Sequence, residues 1–267
     1  MRPTLVFFWY SLKYRARYRG DFVWSIVAPV LFALPAIVLG YWGEQLGGLQ
    51  SFVAATGTPQ YVSYVLLGAL YWNFVEGAWS VAYSLHSAMR SGVLESIFVT
   101  KLSHLGMILA WSGARLLGTT MHSALAIALL IGLAGWPGGV VIGQIALVLA
   151  LSLLGSYGLS FILFGLTLRF RDADSLLYTV SNIAPLLGGV FFPIYILPSF
   201  MRPFSLAFPF TYGLDALRAL WLRGRSILPL PDQLALLGAL AVAYLVLGWW
   251  SMKHFELLSR RHGLEGF

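Results

Sequence analysis

Cysteine is absent from this 267-residue chain, so no disulfide staples it and no thiolate serves as nucleophile or metal ligand. Charge is scarce too: Asp, Glu, Lys and Arg make up 10% of residues, and only 10 residues are acidic. So little polar surface excludes an ordinary soluble domain. No Gly-x-x-x-x-Gly-Lys-Ser/Thr loop occurs, which removes the usual cradle for nucleotide phosphates. The histidines, His86, His104, His122, His254 and His262, are scattered without zinc spacing. No Ser/His/Asp arrangement has local support. Catalysis by this chain alone is not expected, and neither is a metal or cofactor within it.

What is present is apolar length. The composition is 59% hydrophobic with mean hydropathy +0.79. Six stretches carry it: Phe22–Gly40, Tyr61–Leu85, Leu105–Ala134, Val140–Leu168, Ser175–Leu197 and Leu234–Met252. A helix needs about 20 apolar residues to cross a hydrocarbon core of about 30 Å, and each stretch is that long. The expected fold is all-α: a polytopic membrane protein with six transmembrane helices. It reads as one domain over 1–267, with an interfacial N-terminus (1–21), a membrane domain (22–252) and a tail (253–267).

Cations set the orientation. Arg2, Lys13, Arg15, Arg17, Arg19, Arg90, Lys101, Arg169, Arg171, Lys253, Arg260 and Arg261 fall on alternate connections, and they are twelve of the 17 Lys and Arg. The positive-inside rule places that side, with both termini, in the cytoplasm. The net charge of +7 therefore speaks for membrane lipid rather than nucleic acid. A plasma or inner membrane is the expected location.

Two ionisable residues fall inside spans. Glu76 lies nine residues before the cytoplasmic end of the second stretch, and Arg115 ten residues after the start of the third. At 1.5 Å rise per residue both sit about 14 Å deep on adjacent antiparallel helices. Their pairing as a structural salt bridge is one reading, and a role on a transport path the other. Asn73, one turn before Glu76, could share the network.

The 198–233 segment is on the external side yet apolar between its arginines, and Pro198, Pro203 and Pro209 cut it into pieces too short to span. It reads as a re-entrant helical hairpin between the fifth and sixth spans. Thr211 suits a helix N-cap there, and Asp215 and Arg218, three apart, suit a local ion pair.

Motifs in order then point to one family. The 86–104 segment contains Arg90, Gly92, Leu94, Glu95, Ile97, Phe98 and Thr100 and resembles the cytoplasmic loop of ABC-2 type transporter permeases, with Val93 and Lys101 departing from its usual Thr and Pro. Phe170-Arg171-Asp172 before the fifth span, and Gly189, Phe192, Pro193, Leu197 and Pro198 at its outer end, are similar to the same family. So is Pro209-Phe210-Thr211-Tyr212-Gly213-Leu214-Asp215-Ala216-Leu217-Arg218.

The resemblance implies the permease subunit of an ATP-binding-cassette exporter, with Leu94, Ile97 and Phe98 as the apolar ridge of a coupling helix against a separate ATPase subunit. A loop helix resting on lipid is the alternative for that segment. ATP and Mg would be held by the ATPase, and a second permease copy, or a homologous permease, would complete a dimer. A hydrophobic or amphiphilic substrate is expected, with a lipid-linked polysaccharide as alternative and a proton-coupled secondary transporter using Glu76 as a third reading. The path would run at the dimer interface along the first, second and fifth spans, under an external lid built from Pro209, Thr211, Tyr212, Asp215 and Arg218.

Overall fold

The computed structural model describes residues 5–6, 8–10, 13, 19–45, 48–91, 104–167 and 173–262. Among these, helices and turns account for the architecture and no strand occurs. The principal helices are α1 (Arg19–Gln45), α2 (Gly48–Thr56), α3 (Tyr61–Arg90), α4 (His104–His122), α5 (Ala124–Ala134) and α6 (Gly139–Thr167). After them come α7 (Ala173–Leu187), α8 (Arg202–Ala207), α9 (Pro209–Leu222) and α10 (Leu230–His262), with a 3₁₀ turn at Ile194–Ile196.

α6 and α10 are each long and apolar enough to cross a membrane, over Gly139–Leu166 and Leu230–His254. α4 and α5 qualify as one bent pair, and α1 and α7 contribute shorter apolar lengths, Val27–Gly43 and Leu177–Leu187. At 30 residues, about 45 Å, α3 has the reach, but Asn73 and Glu76 interrupt its apolar character. The chain is a multi-pass membrane protein.

Two expected spans are not the single helices that the apolar runs suggest. The third stretch bends by 49° at Ser123, between α4 and α5. Ser123 is fully buried, and its Oγ accepts a 3.0 Å hydrogen bond from Asn73 Nδ2 on α3. A side chain inserted at a helix break is a recognised cause of a kink. The fifth stretch was expected to run to Leu197, but α7 stops at Leu187. Its 15 residues cover about 22 Å, and the Gly188–Gly189 turn and Pro193 end the helix there.

The core centres on α3. Trp79, Tyr71, Val65 and Val75 are almost wholly buried, together with Phe210, Leu214 and Leu217 of α9. The serine hydroxyls of α6 within this core are satisfied by backbone groups, as polar groups must be where water is excluded. Ser152 and Ser156 of α6 donate to carbonyls one turn back, at 2.7 and 2.8 Å. Ser160 joins α6 to α3 by accepting from Ala82 N (3.0 Å) and donating to Trp79 O (3.2 Å).

The most extensive helix pairing is α6 against α10. At its crossing, a Cβ on Gly158 would stand 2.5 Å from Leu245 N, and one on Gly248 would stand 3.1 Å from Gly158 C. The two backbones therefore meet directly, the close approach that small residues permit in membranes.

Candidate functional site

The layer around α9 is organised by Arg218, 5% exposed on that helix. Its Nη1 donates to Gly189 O (2.7 Å), and its Nη2 donates to Val190 O (2.7 Å) and Tyr64 O (3.1 Å). Nε reaches the same Tyr64 carbonyl at 3.4 Å, and the guanidinium lies 3.4 Å over the Tyr64 ring. Gly189 and Val190 follow the end of α7, where helix termination leaves carbonyls without amide partners. A buried cation with many donors fills that gap. Gly68 on α3 makes the passage possible, since a Cβ there would stand 2.6 Å from Arg218 Nη2.

Asp215 has different partners. Its Oδ2 accepts from Ser226 Oγ (2.9 Å), Ile227 N (2.8 Å) and Gln233 Nε2 (3.0 Å). Gln233 is fully buried in the first turn of α10, and Nε2 also donates to Tyr212 O (2.8 Å). Ser226 Oγ, with a single proton, sits between Asp215 Oδ2 and Gln233 Oε1. The local Asp215–Arg218 pair expected from spacing is thus replaced by two separate networks. Arg218 ties the hairpin to α3 and the end of α7, and Asp215 ties it to α10.

Thr211 also differs from expectation. α9 begins at Pro209 with Phe208 as its N-cap, so Thr211 is inside the first turn. Its Oγ1 donates to Ser205 O at 2.7 Å and thereby joins α9 to α8. Pro209 occupies the first helical position, where its missing N–H costs nothing. Tyr212 is buried beside it. Further out, Arg225 binds the C-terminal end of α2, with N on Thr56 O (2.7 Å) and Nη1 on Ala54 O (3.1 Å). Trp221 Nε1 reaches Gly135 O (3.1 Å) in the α5–α6 connection.

The second candidate region lies on the face shared by α1, α3 and α7. A cavity of about 420 Å³ is walled there by Phe32 of α1, by Trp72, Glu76, Trp79 and Tyr83 of α3, and by Tyr178 and Asn182 of α7. An adjoining cavity of about 340 Å³ lies between α1 and α3 and shares Phe32, Trp72 and Glu76. Glu76 is exposed in these hollows rather than buried in the helix packing. The Arg115 charge acts on its carboxyl from α4. Asn73 also lines the smaller cavity, with its Nδ2 donating to Ser123 Oγ.

Of the coupling residues expected from sequence, Gly92, Leu94, Glu95, Ile97, Phe98 and Thr100 lie outside the described residues, and Arg90 is described only as the last residue of α3. Sequence reasoning missed Gly68, Tyr64 and Gln233. Gln233 carried a readable signal, an amide at the start of the last apolar run. Gly68 and Tyr64 carried none, because one is defined by space and the other contributes a backbone carbonyl.

No curated protein sequence matches the chain. The family model for ABC-2 type transporters matches residues 3–222, which include the cavity-lining helices and the hairpin up to the end of α9. Together with its apolar helices, that match over most of the chain establishes that this protein belongs to the ABC-2 type transporter family, the membrane component of ABC transporters.

Proposed function

We propose that this chain is the permease of an ABC exporter that works as a homodimer with two separate ATPase subunits in the plasma or inner membrane. Its topology has six crossings with both termini cytoplasmic. α4 and α5 share one crossing, and α7 with the turn after it makes another. The substrate is a hydrophobic or amphiphilic molecule that enters between α1, α3 and α7.

The observation that carries the reading is the hollow on that face. It is lined by helices from the first, second and fifth apolar stretches, with aromatic walls and a few polar groups, the composition expected of a small-molecule site. ATP binding by the partner subunits pushes on the 90–104 segment and reshapes this hollow. The hairpin of α8 and α9 closes it from outside. Arg218 makes that closure a joint movement, because the hairpin, the end of α7 and the outer part of α3 share one guanidinium.

The test is to place Asp at Leu94 or Phe98, on the apolar ridge of the coupling segment. Each substitution should disfavour the contact with the ATPase by about 2–4 kcal/mol while leaving membrane insertion intact. Co-purification of the ATPase should fall, and transport with it. Wild-type co-purification and transport in both variants would overturn the assignment. Transport that persists without ATP but vanishes in Glu76→Gln would instead support a proton-coupled carrier.

A further inference from the structure

We infer that the hollow between α1, α3 and α7 selects amphiphilic organic cations, an inference that rests on the exporter reading and adds the chemical class of its substrate. Among the described residues, Glu76 is the one charged side chain lining either cavity. No Lys or Arg among them lines either one. Arg115 acts on the same carboxyl from α4, yet it is not part of either wall. The charged group that these described walls present to a bound molecule is therefore acidic.

Around that carboxylate stand Trp72, Trp79, Tyr83, Tyr178 and Phe32, an aromatic enclosure. Aromatic faces attract cations through the ring quadrupole and offer apolar area to the rest of the molecule. In a medium of low dielectric the carboxylate supplies the larger attraction. The same lining works against an anion. A pyrophosphate-linked glycan lipid would bring two or more negative charges to walls that, among the described residues, hold no Lys or Arg to meet them, a desolvation cost without direct compensation. The volume, about 420 Å³ with about 340 Å³ adjoining, suits a drug-sized molecule rather than a polymer.

Two probes of nearly equal shape and opposite charge test this: tetraphenylphosphonium and tetraphenylborate. Binding is measured on the full chain in nanodiscs of neutral lipid, with empty nanodiscs subtracted to remove partitioning. The phosphonium should bind saturably, and Glu76→Gln should weaken it about tenfold. Tyr178, an exposed aromatic whose loss leaves the core untouched, provides a second variant. Tyr178→Leu should weaken binding severalfold, and Asn182→Asp, which adds a second carboxylate to the wall, should strengthen it. The borate should show no saturable binding.

Equal binding of the two probes, or phosphonium binding unchanged in both Glu76→Gln and Tyr178→Leu, would overturn the inference. The exporter reading fails separately. Phosphonium that binds as expected but is not moved by the ATP-driven complex leaves the site's chemistry standing and removes the transport role.

Discussion

Replacing Arg218 with Met keeps most of the side-chain volume and removes the charge and every donor. Gly189 O and Val190 O, each met at 2.7 Å in the native chain, are then left in a buried turn. Tyr64 O loses less, because it lies within α3 and has its helical partner. An unmet buried carbonyl costs about 1–3 kcal/mol, so the two together cost about 2–6. Relief from burying the guanidinium offsets part of this, while the lost stacking on Tyr64 adds up to about 2 kcal/mol to it. A net loss of about 2–5 kcal/mol is expected. Arg218→Lys should recover little, since one ammonium cannot span carbonyls on two elements as the planar fork does.

Arg202 supplies the control. It also donates to two carbonyls, Leu197 O (3.0 Å) and Tyr195 O (2.7 Å), but its side chain is exposed. Water can replace it there, so Arg202→Met should cost under about 1 kcal/mol. Tryptophan fluorescence during thermal unfolding in detergent reads both variants. Equal stability of Arg218→Met and Arg202→Met would refute the argument that burial makes the Arg218 carbonyl contacts important.

Thr211→Ala should cost about 1 kcal/mol by the same assay through the lost bond to Ser205 O, and Thr211→Ser should restore it. Glu76→Gln and Arg115→Met should be non-additive, the double variant recovering stability lost in Glu76→Gln, because Arg115 acts on the Glu76 carboxyl. Additive effects would separate the two residues. A single cysteine at Arg223, exposed in the cap of α9, should react with an impermeant maleimide from outside intact cells. One at Arg90 should react only after the membrane is opened, and the reverse pattern would invert the topology.

The apolar runs made the all-helical membrane architecture legible, because hydrophobic length maps directly onto crossing length. The 49° bend at Ser123 was not legible: Asn73, fifty positions earlier, is bonded there, and no local pattern announces it. The early end of α7 was partly written in Gly188, Gly189 and Pro193. The spacing of Asp215 and Arg218 suggested a surface-type pair, which holds when water surrounds both. Here the carbonyls past α7 claim the buried Arg218, and the hydroxyl and amide donors at 226–233 claim the half-buried Asp215. The cap of α9 is Phe208, three residues before the expected Thr211, because Pro209 already takes the first helical position.

The meeting of Gly158 and Gly248 gives the chain one closely packed side. At that crossing the backbones meet directly, which leaves little room for side chains to shear or change rotamer there. On the other side, α7 is short and touches its neighbours sparsely. A transport cycle built on this chain would therefore behave like a door hung on a fixed post, with α6 and α10 as the post and α7 with its attached hairpin as the leaf. A crosslink between α6 and α10 would leave the cycle running, and one between α1 and α7 would stop it.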